Sequence, residues 1–259
     1  MTTANQSNSL AVHHSADSEV EIGCHISKDI RENYDVYSYR HAAAILSTSF
    51  SEELLDIEQA LRDFKITTTD IAKPGGNESD IPKQFSVSLR PKQWYETRIQ
   101  GDLIIRVFEQ DNLKTSKSEE RSPITLKNYI DGHKIDYVKG RVALDVEWNS
   151  KDQTYDRDLY AFRTFHECGI ISVAVLITRS EKLNQVFEIL PLLKRDGSVD
   201  RKPDGTPKLS KQKYGASTTW MGKLLYRLNT GRHGGCPVLV FGITPKVISD
   251  WSLNSEGQS

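Results

Sequence analysis

Three carboxylates define the chemistry open to this chain. Asp136 is followed, after eight intervening residues, by Asp145-Val146-Glu147 inside the run VALDVEWN. Alternate residues of a strand share a face. Val142, Leu144, Val146 and Trp148 therefore point one way, and Ala143, Asp145, Glu147 and Asn149 the other. Asp136 falls on the preceding arm of a hairpin closed at Lys139-Gly140, within reach across the ladder. Three acids gathered on one patch repel one another unless a cation or a shared proton offsets the charge. Hard oxygen donors of this kind suit Mg²⁺, not zinc. A metal held there polarises a phosphoryl oxygen and lowers the pKa of an attacking water, and phosphoryl transfer depends mainly on such placement of charge. Taken alone, a D-x-E pair fits the polar solvent face of a hairpin just as well.

The elements that must position these acids are readable around them. Lys134–Val138 and Arg141–Trp148 form the hairpin arms. Thr154–Cys168 has helical spacing and stops at Gly169, where a C-terminal glycine belongs. Ile170–Thr178 is a continuous β-branched run, the mark of a strand buried on both faces. Strand, helix, strand makes a crossover, so the two strands should be parallel. Pro237–Ile243 reads as another strand. Arg157 and Arg163 on the helix could steady the acids, reach a phosphate, or pair with Asp156 or Asp158.

Upstream, helical spacing runs through Tyr39–Phe64, with a second start at Ser51. A turn follows at Pro74-Gly75-Gly76-Asn77, then a short helix within Ser79–Leu89. Trp94–Phe108 moves to period two, with a turn at Gln100-Gly101 and a strand over Leu103–Phe108. Residues 111–122 read as a surface loop and 194–213 as a long basic one. A helix is expected over Thr219–Leu228 and a flexible turn over Gly231–Gly235. The pattern predicts an α/β fold, a mixed central β-sheet flanked by helices. Its expected organisation is a loose tail over 1–19, one domain over 20–250 and a second tail over 251–259. Within the domain, a helical part (20–90) precedes a catalytic core (94–250).

Composition narrows the setting. The 259 residues are 37% hydrophobic and 27% charged, enough for one α/β domain with a solvated surface. No apolar run reaches the roughly 18 residues of a membrane span. The opening MTTANQSNSL lacks the basic and apolar regions of a secretion signal. Cys24, Cys168 and Cys236 form no CxxC pair, which argues against a disulfide framework or a thiolate zinc site. The expected compartment is a reducing cytoplasm.

A net charge of −1 gives no bulk argument for nucleic acid. Locally, however, Lys194 to Lys213 carries seven Lys/Arg against three Asp, the kind of patch a phosphate-facing surface needs. Lys211, Lys213, Tyr214, Gly215, Ser217, Thr218 and Thr219 lead from this patch into a helix start. There, amides can hold a phosphate and hydroxyls can touch bases; an ordinary N-cap is the alternative. Arg232, beside His233-Gly234-Gly235, is a further candidate DNA contact.

Asp136 together with Asp145-Val146-Glu147 resembles the metal-binding motif of the PD-(D/E)XK nuclease superfamily. The closer resemblance is to the BglII/BamHI-like branch of Type II restriction endonucleases, where Glu or Gln replaces the motif lysine, as Glu147 does here. The stretches DYVKGRVALDVEWNSKDQTYDRDLYAFR, KYGASTTWMGKLL and GGCPVLVFGITP are similar to that branch. The resemblance spans roughly Gly75 to Pro245 and is strongest over 135–178 and 212–245.

It implies a PD-(D/E)XK core and a prokaryotic, cytoplasmic homodimer that hydrolyses double-stranded DNA at a short palindromic site. Mg²⁺ would be the cofactor, with Mn²⁺ able to substitute, and a cognate DNA methyltransferase is expected in the same system. Asp136 and Asp145 would hold the metal, with the backbone carbonyl of Val146 completing that side. Glu147 would orient or deprotonate the water, or bind a second metal. The family often recruits another acid from an N-terminal helix, for which Glu53 and Glu58 are the candidates. Two features depart from the pattern: Ile135 precedes Asp136 where proline is usual, and Asp145 stands where the branch usually has Glu. A repair or junction-resolving nuclease of the same superfamily, or a catalytically inactive DNA-binding descendant, are the alternatives.

Overall fold

Runs of aliphatic and β-branched residues build the centre of the molecule. The computed structural model describes residues 16–74, 80–109 and 119–251. Its main strands are β1 (Tyr34–Tyr39), β2 (Tyr95–Ile105), β5 (Ile124–Lys139), β6 (Val142–Glu147), β7 (Val173–Arg179) and β8 (Val238–Ile243). Two short strands, β3 (Phe108–Glu109) and β4 (Glu119–Glu120), pair with each other apart from the sheet. The sheet order is β1-β8-β7-β6-β5-β2. β6, β7 and β8 are mutually parallel, whereas β1 and β5 pair antiparallel at their flanks. The expected mixed sheet and the parallel crossover are both present.

Helices cover both faces. On one lie α1 (Glu19–His25), α2 (Lys28–Asn33), α3 (Ala42–Ser49), α4 (Ser51–Asp63), α5 (Thr68–Ala72) and α6 (Asp80–Leu89), with the short α8 (Asn184–Phe187). On the other lie α7 (Thr154–Glu167) and α9 (Met221–Asn229). Alternation along β6 distributes its side chains as period two demands. Val142, Leu144, Val146 and Trp148 enter the first core, while Ala143 enters the second with Leu159, Phe162 and Leu176.

The structure departs from the sequence expectations in several places. Glu19 opens a helix capped by the Ser18 side chain, so the described part of the expected N-terminal tail is ordered into the fold. The expected helical part, 20–90, also contributes β1, which pairs with β8 from Tyr34↔Ile243 to Tyr39↔Val238. Gln100-Gly101 is not a turn. β2 runs straight through it, absorbing the irregularity as register shifts against β5. Helix α9 starts at Met221, two residues later than expected. The Gly75-Gly76-Asn77 turn, loop residues 111–118, and residues 1–15 and 252–259 of the tails lie outside the described residues.

Leu159, fully buried on α7, holds that helix against the sheet. Leu159→Ala is expected to cost about 3 kcal/mol of stability in chemical denaturation, the usual result of emptying a well-packed aliphatic site.

Candidate active site

The parting of two strands creates the site. β5 and β6 pair only from Lys139↔Val142 to Tyr137↔Leu144. Where the next rung would fall, the backbone N–H of Asp136 donates instead to Oδ1 of Asp145 at 2.7 Å. On its other edge β5 takes three steps, Ile135 to Val138, against the two β2 takes from Thr97 to Tyr95. The extra residue is a β-bulge, a device that re-aims a side chain. Ile135 and Val138 therefore both face the α7 core, while Tyr137 faces the opposite one. Asp136, two residues before Val138, shares the α7 side with Asp145 and Glu147, and its charge acts on both.

These acids are not on a solvent face. Asp145 and Glu147 are 3% and 6% exposed beneath α7, which removes the plain-hairpin alternative. A fourth acid joins them. Asp158 is 2% exposed on α7, within the stripe formed by Tyr155, Leu159, Phe162 and Phe165. The sequence reading missed its role, treating it only as a salt-bridge partner. The available signal was position: a charged residue three after Tyr155 and four before Phe162 lies on the apolar face. Of the alternatives open to Arg157, the structure shows the ion pair with Asp158. The guanidinium donates to Asp158 Oδ1 at 3.1 Å and lies 3.9 Å from Glu147 Oε1. Arg163 pairs with Glu167 instead.

Electrostatics follow from that burial. Burial, then the Asp158 charge, pushes Glu147 up to about 8. Burial also lifts Asp158 to about 6, against the pull of Arg157. Asp145 is raised well above the usual carboxylate range by burial and by its acidic neighbours Asp158 and Asp136. Asp136 is raised by burial and held back by the Val146 amide. Asp136 itself keeps solvent access.

The donor set fits a hard divalent cation. Asp145 Oδ2, Glu147 Oε2, Asp158 Oδ2 and Asn149 Oδ1 are buried with no hydrogen-bond partner. Orphaned buried oxygens are destabilising, and one cation with its waters can satisfy several at once. Thr178 Oγ1 donates to the Glu147 carbonyl at 2.9 Å, so that carbonyl points towards β7. Carbonyls alternate along a strand, and Val146 therefore offers its own towards Asp136. As the side chains stand, no three of the acids bring ligand oxygens within 4.8 Å of one another. Among the described residues only Asp17, Glu21 and His41 do so, in a partly buried, ion-paired group.

The acids border a cleft of about 790 Å³ whose lining includes Asp136, Glu147, Trp148, Lys73, Lys194, Arg195 and Lys213. Lys194 and Arg195 bring the basic loop to the acids. Of the expected DNA contacts, Lys211 and Ser217 are exposed, and Gly215 and Thr218 are partly so. Lys213 is half-buried, its Nζ donating to the carbonyls of Ile71 and Lys73. Tyr214 and Thr219 are buried, so they act as scaffold here and do not present side chains to a duplex. Arg232 is exposed and paired with Asp156.

Neither upstream acid reaches the site. Glu58 accepts from Ser27 and Arg62. Glu53 lies beside Gly140 at the hairpin turn, roughly 20 Å along the strand from Glu147 at ~3.3 Å per residue. The acid that acts on Asp145 and Glu147 from a helix is Asp158, on the downstream α7.

A mixed sheet clasped by helices, with strand-borne acids gathered beside a basic cleft, defines a restriction-endonuclease-like nuclease core. Residues 34–243 match the family described as Restriction endonuclease BglII/BglIII, and the chain belongs to that family. It is thereby one of the site-specific DNA-cleaving hydrolases. No curated protein sequence matches it. No helix among the described residues is long and apolar enough to cross a membrane.

Proposed function

We propose that this chain is a Mg²⁺-dependent Type II endonuclease. It acts as a homodimer on a short palindromic duplex site, a twofold protein matching a twofold target. The observation that carries the metal reading is that Asp145, Glu147 and Asp158 each bury an unpartnered oxygen while Asp145 feels the charges of Asp158, Asp136 and Glu147. Asp136, Asp145, Asp158 and the Val146 carbonyl would hold the cation. When bound, it would polarise a phosphoryl oxygen and make an attacking water more acidic.

The remaining steps fall to the protein. Asp136, open to the cleft, faces the position of the scissile phosphate. Lys73, Lys194 and Arg195 supply positive charge to the incoming backbone. Glu147, with its elevated proton affinity, orients the water and accepts its proton. Arg157 restrains Glu147 and Asp158 so that neither swings away.

The test is a digest of mapped DNA with Mg²⁺. Discrete fragments that vanish with EDTA support the reading, and a smear without bands favours a repair or junction-resolving enzyme. Retained binding with no cutting under Mg²⁺ or Mn²⁺ would select the inactive descendant. Asp158→Asn is expected to weaken Mg²⁺ binding by about 10–100-fold in calorimetry without DNA, as loss of a supporting metal-site group does. Unchanged metal affinity would remove Asp158 from the site.

A further inference from the structure

Arg179 closes β7 with only 1% of its surface exposed. Among the described residues no carboxylate acts on it, and burial lowers its proton affinity. Three rings surround the guanidinium instead: Tyr214 at 4.9 Å, Phe187 at 5.4 Å and Trp148 at 6.0 Å. Its Nη2 donates to Thr218 Oγ1 at 2.6 Å and to the Thr219 carbonyl at 2.5 Å, and its Nε has no partner. An apolar side chain would fill such a space at lower cost. Only arginine offers a planar face for stacking together with a fork of donors.

Two of the rings it joins belong to the site. Trp148 directly follows Glu147, and Trp148 and Tyr214 both wall the cleft. The loop held by Nη2 is stitched to the chain leaving β6. Thr218 bridges Lys151, the Thr219 N–H donates to the Ser150 carbonyl at 2.9 Å, and the Asp152 N–H donates to Ser217 at 3.0 Å. Ala216 and Ser217 remain exposed at its tip.

We propose that Arg179 is a positioning residue that couples the Gly215–Thr219 loop, the part of this region open to DNA, to the metal-holding end of β6. A duplex that seats the loop wrongly is then bound but not cut. This rests on the nuclease reading above. It adds that recognition and cleavage are linked through one buried guanidinium.

The test uses the full chain, with Arg179→Met, Arg179→Lys and Thr218→Val. Hydrogen exchange without DNA or metal asks whether the loop is held. The amides of Ser217–Thr219 should exchange about tenfold faster in Arg179→Met, as local opening becomes easier. Duplex affinity in Ca²⁺ should stay within about threefold, while the single-turnover rate in Mg²⁺ at the preferred site falls about 100-fold, the usual effect of small misplacement. The rate at sites altered by one base pair should fall less, so discrimination narrows. Thr218→Val should act in the same direction and add little to Arg179→Met. If the methionine variant does not fold, the lysine variant, which keeps the charge and loses the fork, carries the same measurements.

Unchanged loop exchange, or equal slowing at preferred and altered sites, overturns the coupling. A wild-type chain that cuts no duplex overturns the nuclease reading, and the coupling with it. The exchange result then decides separately whether Arg179 holds the loop.

Discussion

Asp145→Asn is expected to lower the cleavage rate by about a thousandfold or more, since it removes the charge of a central metal ligand while keeping its shape. The amide oxygen can still accept the Asp136 N–H, so the parted strands keep their one bridging contact. The new NH₂ replaces an oxygen that has no partner and sits among acids able to accept from it. The variant should therefore melt higher than the wild type in EDTA, because a repelling buried charge is gone. It should also lose most of the wild type's Mg²⁺-induced rise in melting temperature. Cutting at the wild-type rate, or a full Mg²⁺ shift, would show that Asp145 does not hold the metal.

The second large effect is on pH. Glu147 titrates near 8 in the metal-free fold against 4.5 for an ordinary glutamate, and Asp158 near 6 against 3.8. In both cases the folded chain holds its proton more tightly than the unfolded chain. Between about pH 4.5 and 8 the folded state binds more protons, so metal-free stability falls as pH rises through this window. Below the ordinary values both states are protonated and the contribution is complete. Above about 8 it is lost. Mg²⁺ competes with those protons, so its stabilisation should grow over the same range, and cleavage should rise from pH 6 towards 8.5. Melts with EDTA and with Mg²⁺ at pH 5.5, 7 and 8.5 check this. An EDTA melting temperature that climbs with pH would contradict it.

The parts of the site that were readable in the sequence are those whose determinants are local. Val142–Trp148 alternates, so the acid-bearing face of β6 followed from period two alone. The β-branched run Ile170–Thr178, within which β7 begins at Val173, and the glycine stop at Gly169 set the crossover. Asp158 escaped because the adjacent Arg157 offered a surface ion pair as sufficient explanation, and only tertiary packing shows which face of α7 is covered. Tyr214 and Thr219 read as contact residues because hydroxyls are polar. Their burial depends on Trp148, Arg179 and α8 arriving from elsewhere. β1 was hidden for a similar reason. Its six residues sit between helices, and their partner, β8, lies some two hundred residues on. The bulge at Asp136 depends on the register between β5 and β2, which spacing within one strand does not encode.

The extra residue in β5 makes the count from the hairpin turn back to Asp136 a fixed length. Deleting one residue between Asp136 and Gly140 would turn the carboxylate to the far surface, whereas additions beyond Asp131 would only extend the outer ribbon. Relatives of this chain should thus vary freely in the reach of that ribbon while keeping this short interval constant. An engineer grafting new segments has room at the distal end and none at the proximal one.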